Sequence, residues 1–379
     1  MTKKSENEVE ESAYYHKEEP IIKKGKISGK KPIVFEAFCG CGGTSLGFEM
    51  AGYEIGLGID ILKPAIDTFK KNHPNSYSIL GDIRKVNSLD IKKITGVKNI
   101  DVLIGGVPCQ GFSLNNKKRN ELDKRNFLYL EFVKLIKQLS PKIVVLENVS
   151  GMKSTANGKF VDDISKSIES IGNYKVVHKM LYAPDYGVPQ KRNRLIFIGV
   201  DKELGEEFNF DDIIKTHGPG TDKEYVNIKN AIGDLPELEP GTEKMKYNKE
   251  AFSDYQKTMR NNGNILLNHK APNHPQDTID KIKNTIPGEP IYEKYKQRIR
   301  LSWDILSPTQ VSGGIRPQFQ FGHPSDNRGL TIRERCRLQS FPDNFEVMGG
   351  IVQGRVQTGN AVPPLLAKAV AKALFKYFK

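Results

Sequence analysis

Between residues 32 and 200 the chain repeats one pattern. A short apolar run comes first, then a turn rich in glycine or proline, then apolar residues at helical spacing. The runs are Ile33–Phe38, Tyr53–Ile59, Asp101–Ile104, Lys142–Leu146 and Leu195–Val200. Helices are predicted over Thr44–Ala51, Pro64–Lys71 and Phe127–Leu139; in the last, Leu128, Phe132, Leu135, Ile136 and Leu139 share a face. Short apolar strands alternating with helices specify a doubly wound, mostly parallel α/β sheet covered on both faces, a Rossmann-like domain.

The texture changes after Val200. Proline, glycine, asparagine and lysine dominate to about residue 325, with weak periodicity, which predicts a second, smaller and irregular domain over residues 201–354. The stretch Leu365–Lys379 reads as an amphipathic helix behind Pro363-Pro364, with Leu366, Val370, Leu374 and Phe378 apolar. It is expected to return to the first domain, which then comprises residues 32–200 and 355–379. Residues 1–31 mix charges of both signs and end in a lysine-rich run, the composition of a flexible tail.

Bulk properties exclude several classes. The 379 residues are 37% hydrophobic and 27% charged, as in a globular protein. No apolar run approaches the ~18 residues that span a bilayer, and the first residues lack a signal peptide's apolar segment. Four cysteines make no disulfide framework and fit a reducing cytoplasm. Cys39 and Cys41 lack a second Cys/His pair, and the histidines show no paired spacing, so no metal site is expected. A net charge of +13 points to a polyanion, nucleic acid before anionic membrane, although a merely basic soluble protein shows it too.

The first strand ends in Phe38-Cys-Gly-Cys-Gly-Gly43, a glycine-rich turn before a helix. Ligands of α/β sheets sit at such carboxyl ends. Gly40, Gly42 and Gly43 let the backbone approach a ligand closely. Asp60 ends the next strand, where it can accept both ribose hydroxyls, and Asp82 ends a third segment, within reach of an adenine amino group. Two solvated loop aspartates are the plainer alternative. An adenosine cofactor follows, and Gly40-x-Gly-Gly departs from the dinucleotide fingerprint, favouring S-adenosylmethionine over NAD(P).

A second rim feature is Gly-Gly-Val-Pro-Cys-Gln-Gly-Phe-Ser, residues 105–113. Pro108 stiffens the arm that carries Cys109. The next strand ends in Glu147, and Gln190, Arg192 and Arg194 alternate just before a later one. Thiol, carboxyl and guanidinium groups beside a cofactor suit covalent catalysis. An electron-poor ring attacked by the thiolate becomes nucleophilic at the adjacent carbon, and an acid on the ring nitrogen promotes the attack. Cytosine, attacked at carbon-6 and methylated at carbon-5, meets every requirement.

In these residues the chain closely resembles the DNA (cytosine-5)-methyltransferases, with the blocks in the family's order over almost everything after the tail. The resemblance implies a cofactor site of Phe38, Gly40, Gly42, Gly43, Asp60, Ile61, Asp82, Ile83, Pro108, Asn360, Ala361 and Val362. It implies that Cys109 is the nucleophile, that Glu147 acts on the cytosine ring nitrogen and amino group, and that Arg192 and Arg194 hold the base and order the nucleophile. Gln110, Ser113, Gln190 and Arg316 are expected to contact DNA. Val107 stands where the family has proline or serine, but the Pro-Cys pair is intact. Arg328–Pro342 resembles the block supporting the recognition domain, and Gln357–Pro364 the closing block.

Base flipping follows from the same resemblance, because a stacked cytosine is out of a thiolate's reach. Ser113–Asn126 is expected to close over the base, and Thr309–Gly314 and Arg316–Gln320 to face a DNA groove. The implied partners are duplex DNA with a flipped cytosine and a cognate restriction endonuclease, with the enzyme a monomer in a bacterial cytoplasm. Alternatives are an RNA cytosine methyltransferase, whose Cys-Phe-Thr signature is missing here, a catalytically inactive DNA-binding regulator, and an NAD(P) oxidoreductase.

Overall fold

A computed structural model describes residues 15–16, 18–108, 128–149, 151, 159–261, 263–312 and 320–378. These residues pack as two units. One holds Tyr14–Tyr182, Asn193–Ile214 and Ala367–Lys379; the other holds Ala183–Arg192 and Lys215–Leu366.

The first unit is built on eight strands: β1 (Ile21–Lys23), β2 (Ile33–Ala37), β3 (Glu54–Asp60), β4 (Tyr77–Leu80), β5 (Val102–Gly105), β6 (Ile143–Val149), β7 (Tyr174–Tyr182) and β8 (Asn193–Asp201). Their order is β1-β4-β3-β2-β5-β6-β8-β7. The central strands β4, β3, β2, β5 and β6 are parallel. β8 runs antiparallel between β6 and β7, and β1 pairs antiparallel with β4. The sheet is therefore mixed around the parallel centre that the sequence predicts.

Among the described residues, the helices α1 (Gly43–Met50), α2 (Lys63–Asn72), α3 (Ser88–Thr95), α4 (Leu128–Leu139) and α5 (Lys159–Glu169) belong to this unit. Phe132, Leu135, Ile136 and Leu139 of α4 are buried in the same apolar cluster as Leu103 of β5 and Val144 of β6. α2 sits so close to β3 that a Cβ on Gly58 would lie 2.4 Å from the Phe69 ring. Only glycine leaves that ring its seat.

Three differences from the sequence reading have physical causes. Residues 18–31 are docked rather than tail-like. β1 joins the sheet, Lys26 N donates to Asn75 O at 2.7 Å, and Ser28 Oγ and Gly29 N donate to Glu54 at 2.8 and 2.9 Å. β1 and β7 escaped notice because they lie at the sheet's two edges, where the apolar pattern is diluted: Ile21 and Ile22 are exposed, and β7 alternates with lysines. The units also divide elsewhere than at 200/201 and 354/355. Residues 183–192 and 355–366 pack with the second unit, and 201–214 with the first.

The second unit has short helices: α6 (Ile228–Ile232), α7 (Asp254–Arg260), α8 (Gln276–Asn284), α9 (Ile332–Leu338) and α10 (Gly350–Asn360). α11 (Pro364–Leu374) begins here, and its residues from Ala367 onward pack in the first unit. An apolar cluster including Ile228, Ile232, Met259, Leu301, Phe321 and Leu338 fills the second unit's centre. Around it the interior is ionic. Arg328 is fully buried against Glu334 at 2.8 Å, and Arg337 against Asp343 at 2.6 Å and Asp234 at 3.2 Å. Every residue of α9, Ile-Arg-Glu-Arg-Cys-Arg-Leu, is buried. A core made this way has no hydrophobic period to read.

Candidate active site

The site is built at the carboxyl ends of the parallel strands. Ala37 is level with Ile59 and Gly105, and Gly105 with Leu146, so the tips of β3, β2, β5 and β6 stand side by side. Main-chain bonds continue past the strands: Cys39 N to Ile59 O at 3.0 Å, Gly81 N to Asp60 O at 2.9 Å and Gly106 N to Ala37 O at 3.3 Å. The residues expected to hold the cofactor in this unit therefore share one rim: Phe38, Gly40, Gly42, Gly43, Asp60, Ile61, Asp82, Ile83 and Pro108.

The glycine turn is fastened from within. Asp60 accepts from Gly40 N at 2.8 Å and from Leu62 N at 2.8 Å. Its burial raises its pKa, opposed by those backbone donors. Glu36, an acidic residue inside an apolar strand, is 2% exposed and accepts from Ser45 N at 3.0 Å and from Ser45 Oγ, satisfying the first turn of α1. Burial pushes its pKa up to about 7. The sequence reading missed Glu36, although a lone carboxylate in Ile-Val-Phe-Glu-Ala was the signal.

These groups fit S-adenosylmethionine. Phe38 and Gly40 turn with φ of 57° and 53°, and a Cβ at Gly40 would enter open space. Half-buried Asp60 suits ribose hydroxyls. Asp82 is also engaged by Arg84, with Nε 3.0 Å from its Oδ1, which lowers its pKa.

On the catalytic side, β6 carries Glu147 and β8 carries Arg194. Glu147 is level with Ile196, so Arg194, two residues away, projects on the same face. The two side chains form a largely buried ion pair. Burial lowers the Arg194 pKa, and the Glu147 charge opposes that shift. Pro108 closes the segment after β5, next to β6.

Gln190 and Arg192 do not continue the row of Arg194, because β8 begins at Asn193 and both pack in the second unit. Arg192 is 0% exposed and donates to Gln310 O, Gly359 O and Ala361 O at 3.0, 2.8 and 2.9 Å. Gln190, equally buried, donates to Leu338 O at 3.1 Å and accepts from Gln310 N at 3.1 Å. Both side chains tie backbone segments of the second unit together. Asn360 is exposed, and Ala361 and Val362 are buried, in the second unit. Cys109, Gln110, Ser113, Arg316, the closing segment Ser113–Asn126 and most of Thr309–Gln320 lie outside the described residues. Among the described residues no metal-ligand cluster occurs, and no helix is long and apolar enough to cross a membrane.

A family model for C-5 cytosine-specific DNA methylases matches residues 33–376. The chain belongs to that family. Type II methyltransferase M.DdeI of Desulfomicrobium norvegicum is 36% identical over 382 residues, covering 91% of this chain and 89% of the relative. Type II methyltransferase M1.HphI of Haemophilus parahaemolyticus is 35% identical over 353 residues, covering 90% and 86%. A solved prophage-encoded structure from E. coli, described as a DNA modification methyltransferase, superposes with a TM-score of 0.77 at 26% identity, covering 91% of this chain and 99% of that one. The protein is thus a DNA cytosine-5 methyltransferase whose methyl donor is S-adenosylmethionine and whose substrate is DNA.

Proposed function

We propose that the chain is the modification enzyme of a type II restriction system, methylating one cytosine within a specific duplex sequence. Its relatives M.DdeI and M1.HphI carry that type in their names. The observation that carries the chemistry is the Glu147–Arg194 pair on the strand tip next to the one that leads into Pro108-Cys109.

In this reading DNA presents a flipped cytosine to the rim. Cys109 attacks carbon-6 while Glu147 engages the cytosine ring nitrogen-3 and amino group. Electron density then accumulates at carbon-5; once that carbon carries the methyl group, loss of its proton to a base expels the Cys109 thiolate from carbon-6 and restores the ring. Arg194, paired with Glu147, orients that carboxylate. When bound, S-adenosylmethionine would supply the methyl group, with Phe38, Gly40, Asp60, Asp82, Pro108, Asn360, Ala361 and Val362 as the residues that would hold it. Arg192 and Gln190 fix the backbones of Gln310 and Ala361. Gln110, Ser113 and Arg316 contact DNA, and residues within 201–354 choose the target. A cognate endonuclease is the partner, and the enzyme works as a monomer in a bacterial cytoplasm.

Bisulfite sequencing of DNA from cells expressing the chain tests activity and target together. A single methylated motif is expected. Unmodified DNA, with methyl transfer to tRNA instead, overturns the proposal.

A further inference from the structure

Beneath the glycine turn lies a histidine that the chemistry above leaves without a task. His73 follows α2 directly, and its side chain is 1% exposed. The ring packs on Phe69, with centroids 4.8 Å apart, and reaches under the start of α1. A Cβ at Gly42 would lie 2.9 Å from His73 Nε2 and 3.1 Å from Cδ2. The imidazole thus fills the space under Gly42, the left-handed N-cap of α1 with φ of 90°. Nδ1, on the ring's other side, is 3.0 Å from Glu49 Oε2 in the last turn of the same helix. The ring nitrogen and the carboxylate thus lie within ion-pair distance.

One side chain therefore braces α1 at both ends. The helix needs such a brace. It has eight residues, no side-chain N-cap, no acidic residue in its first turn and no basic one in its last. Glu49 near the carboxyl end opposes the helix dipole, a cost that a proton-donating partner relieves. Glu36 fastens the first turn from the strand side, and His73 meets both Gly42 and Glu49 in the far turn.

We propose that His73, held by Glu49, is a positioning residue for the cofactor: it sets the height at which Gly42 and the first turn of α1 meet S-adenosylmethionine. The proposal rests on reading the Phe38–Gly43 turn as the cofactor loop. It assigns no contact between His73 and the cofactor.

Calorimetric titration of the full chain with S-adenosylmethionine tests it, with thermal stability and affinity for unmodified duplex DNA measured alongside. His73→Phe keeps the ring volume and loses the tie. Glu49→Ala loses the tie from a half-exposed position, where unfolding is not expected. Both should weaken cofactor affinity about tenfold, in line with one hydrogen bond to a charged group. KM for the cofactor should rise in step, with kcat at saturating cofactor and DNA affinity retained. Glu49→Gln, whose amide keeps a polar partner beside Nδ1, should restore most of the affinity. Unchanged cofactor affinity in both His73→Phe and Glu49→Ala overturns the proposal. So does a loss that merely tracks thermal stability and DNA affinity together. Asp60→Ala separates the two readings: if it binds cofactor like the unaltered chain, the loop assignment fails. If it loses binding while the His73 and Glu49 variants do not, only the brace fails.

Discussion

At the scale of single residues, chemistry and holding are divided between neighbours. Glu147 and Arg194 face each other at a strand tip, whereas Arg192, two residues earlier, spends its guanidinium on three carbonyls. Glu147→Gln keeps the shape and removes the acid, so kcat should fall by about 10²–10⁴-fold with DNA affinity kept. Single-turnover methyl transfer is the measurement, and a loss of only a few-fold would assign the proton to another group. Cys109→Ser should abolish turnover while still binding duplex DNA. A covalent, gel-stable adduct on DNA carrying 5-fluorocytosine should form with the unaltered chain alone. The residue types of the site were legible in the sequence, because glycine turns and strand-end carboxylates have few other reasons to occur in that order. The burial of Arg192 and Gln190 was not. Alternation along a sequence reports a common face only while the chain stays in one strand, and β8 starts after them.

Among the elements, the tight seat of α2 on β3 makes a sharp test. Gly58→Ala would push a methyl group into the Phe69 ring, 2.4 Å away, and the overpacking should cost about 1–3 kcal/mol. The midpoint of urea unfolding should fall accordingly; an unchanged midpoint would mean that α2 shifts freely. Strands β2, β3, β5, β6 and β8 and helices α1, α2 and α4 were legible because buried apolar runs and helical periods are long-range regularities. Edge strands β1 and β7 and the helices of the second unit were not. Their burial is partial, or is achieved by paired charges, as in α9, where Arg337 meets Asp343 and Asp234.

For the molecule as a whole, pH and salt act on different parts. His274 and His323 are buried, and desolvation lowers their pKa to about 4, so both are neutral in the folded state. The unfolded chain binds those protons below about pH 6.5. Stability should therefore decline as pH falls from about 6.5 to 4 and level off for these groups below that. Glu36 works the other way. With its pKa raised to about 7 by burial, it favours the folded state increasingly as pH falls from 7 toward 4.5. Two histidines against one glutamate leave a net decline, measurable as the urea midpoint against pH; a flat profile would contradict the burial of both rings. DNA affinity should drop linearly with the logarithm of salt concentration, as expected for a chain of net charge +13 releasing counterions from phosphates.

Tyr53 stacks edge-on against Phe375 and Phe378 and donates to Ala371 O at 3.0 Å. Tyr53 and Ala371 are 318 residues apart along the chain. On the ribosome, the layer that carries the methyl-donor loop stays incomplete until Phe378 has been made. Products that stop before Ala371 would leave Tyr53 bare and prone to degradation.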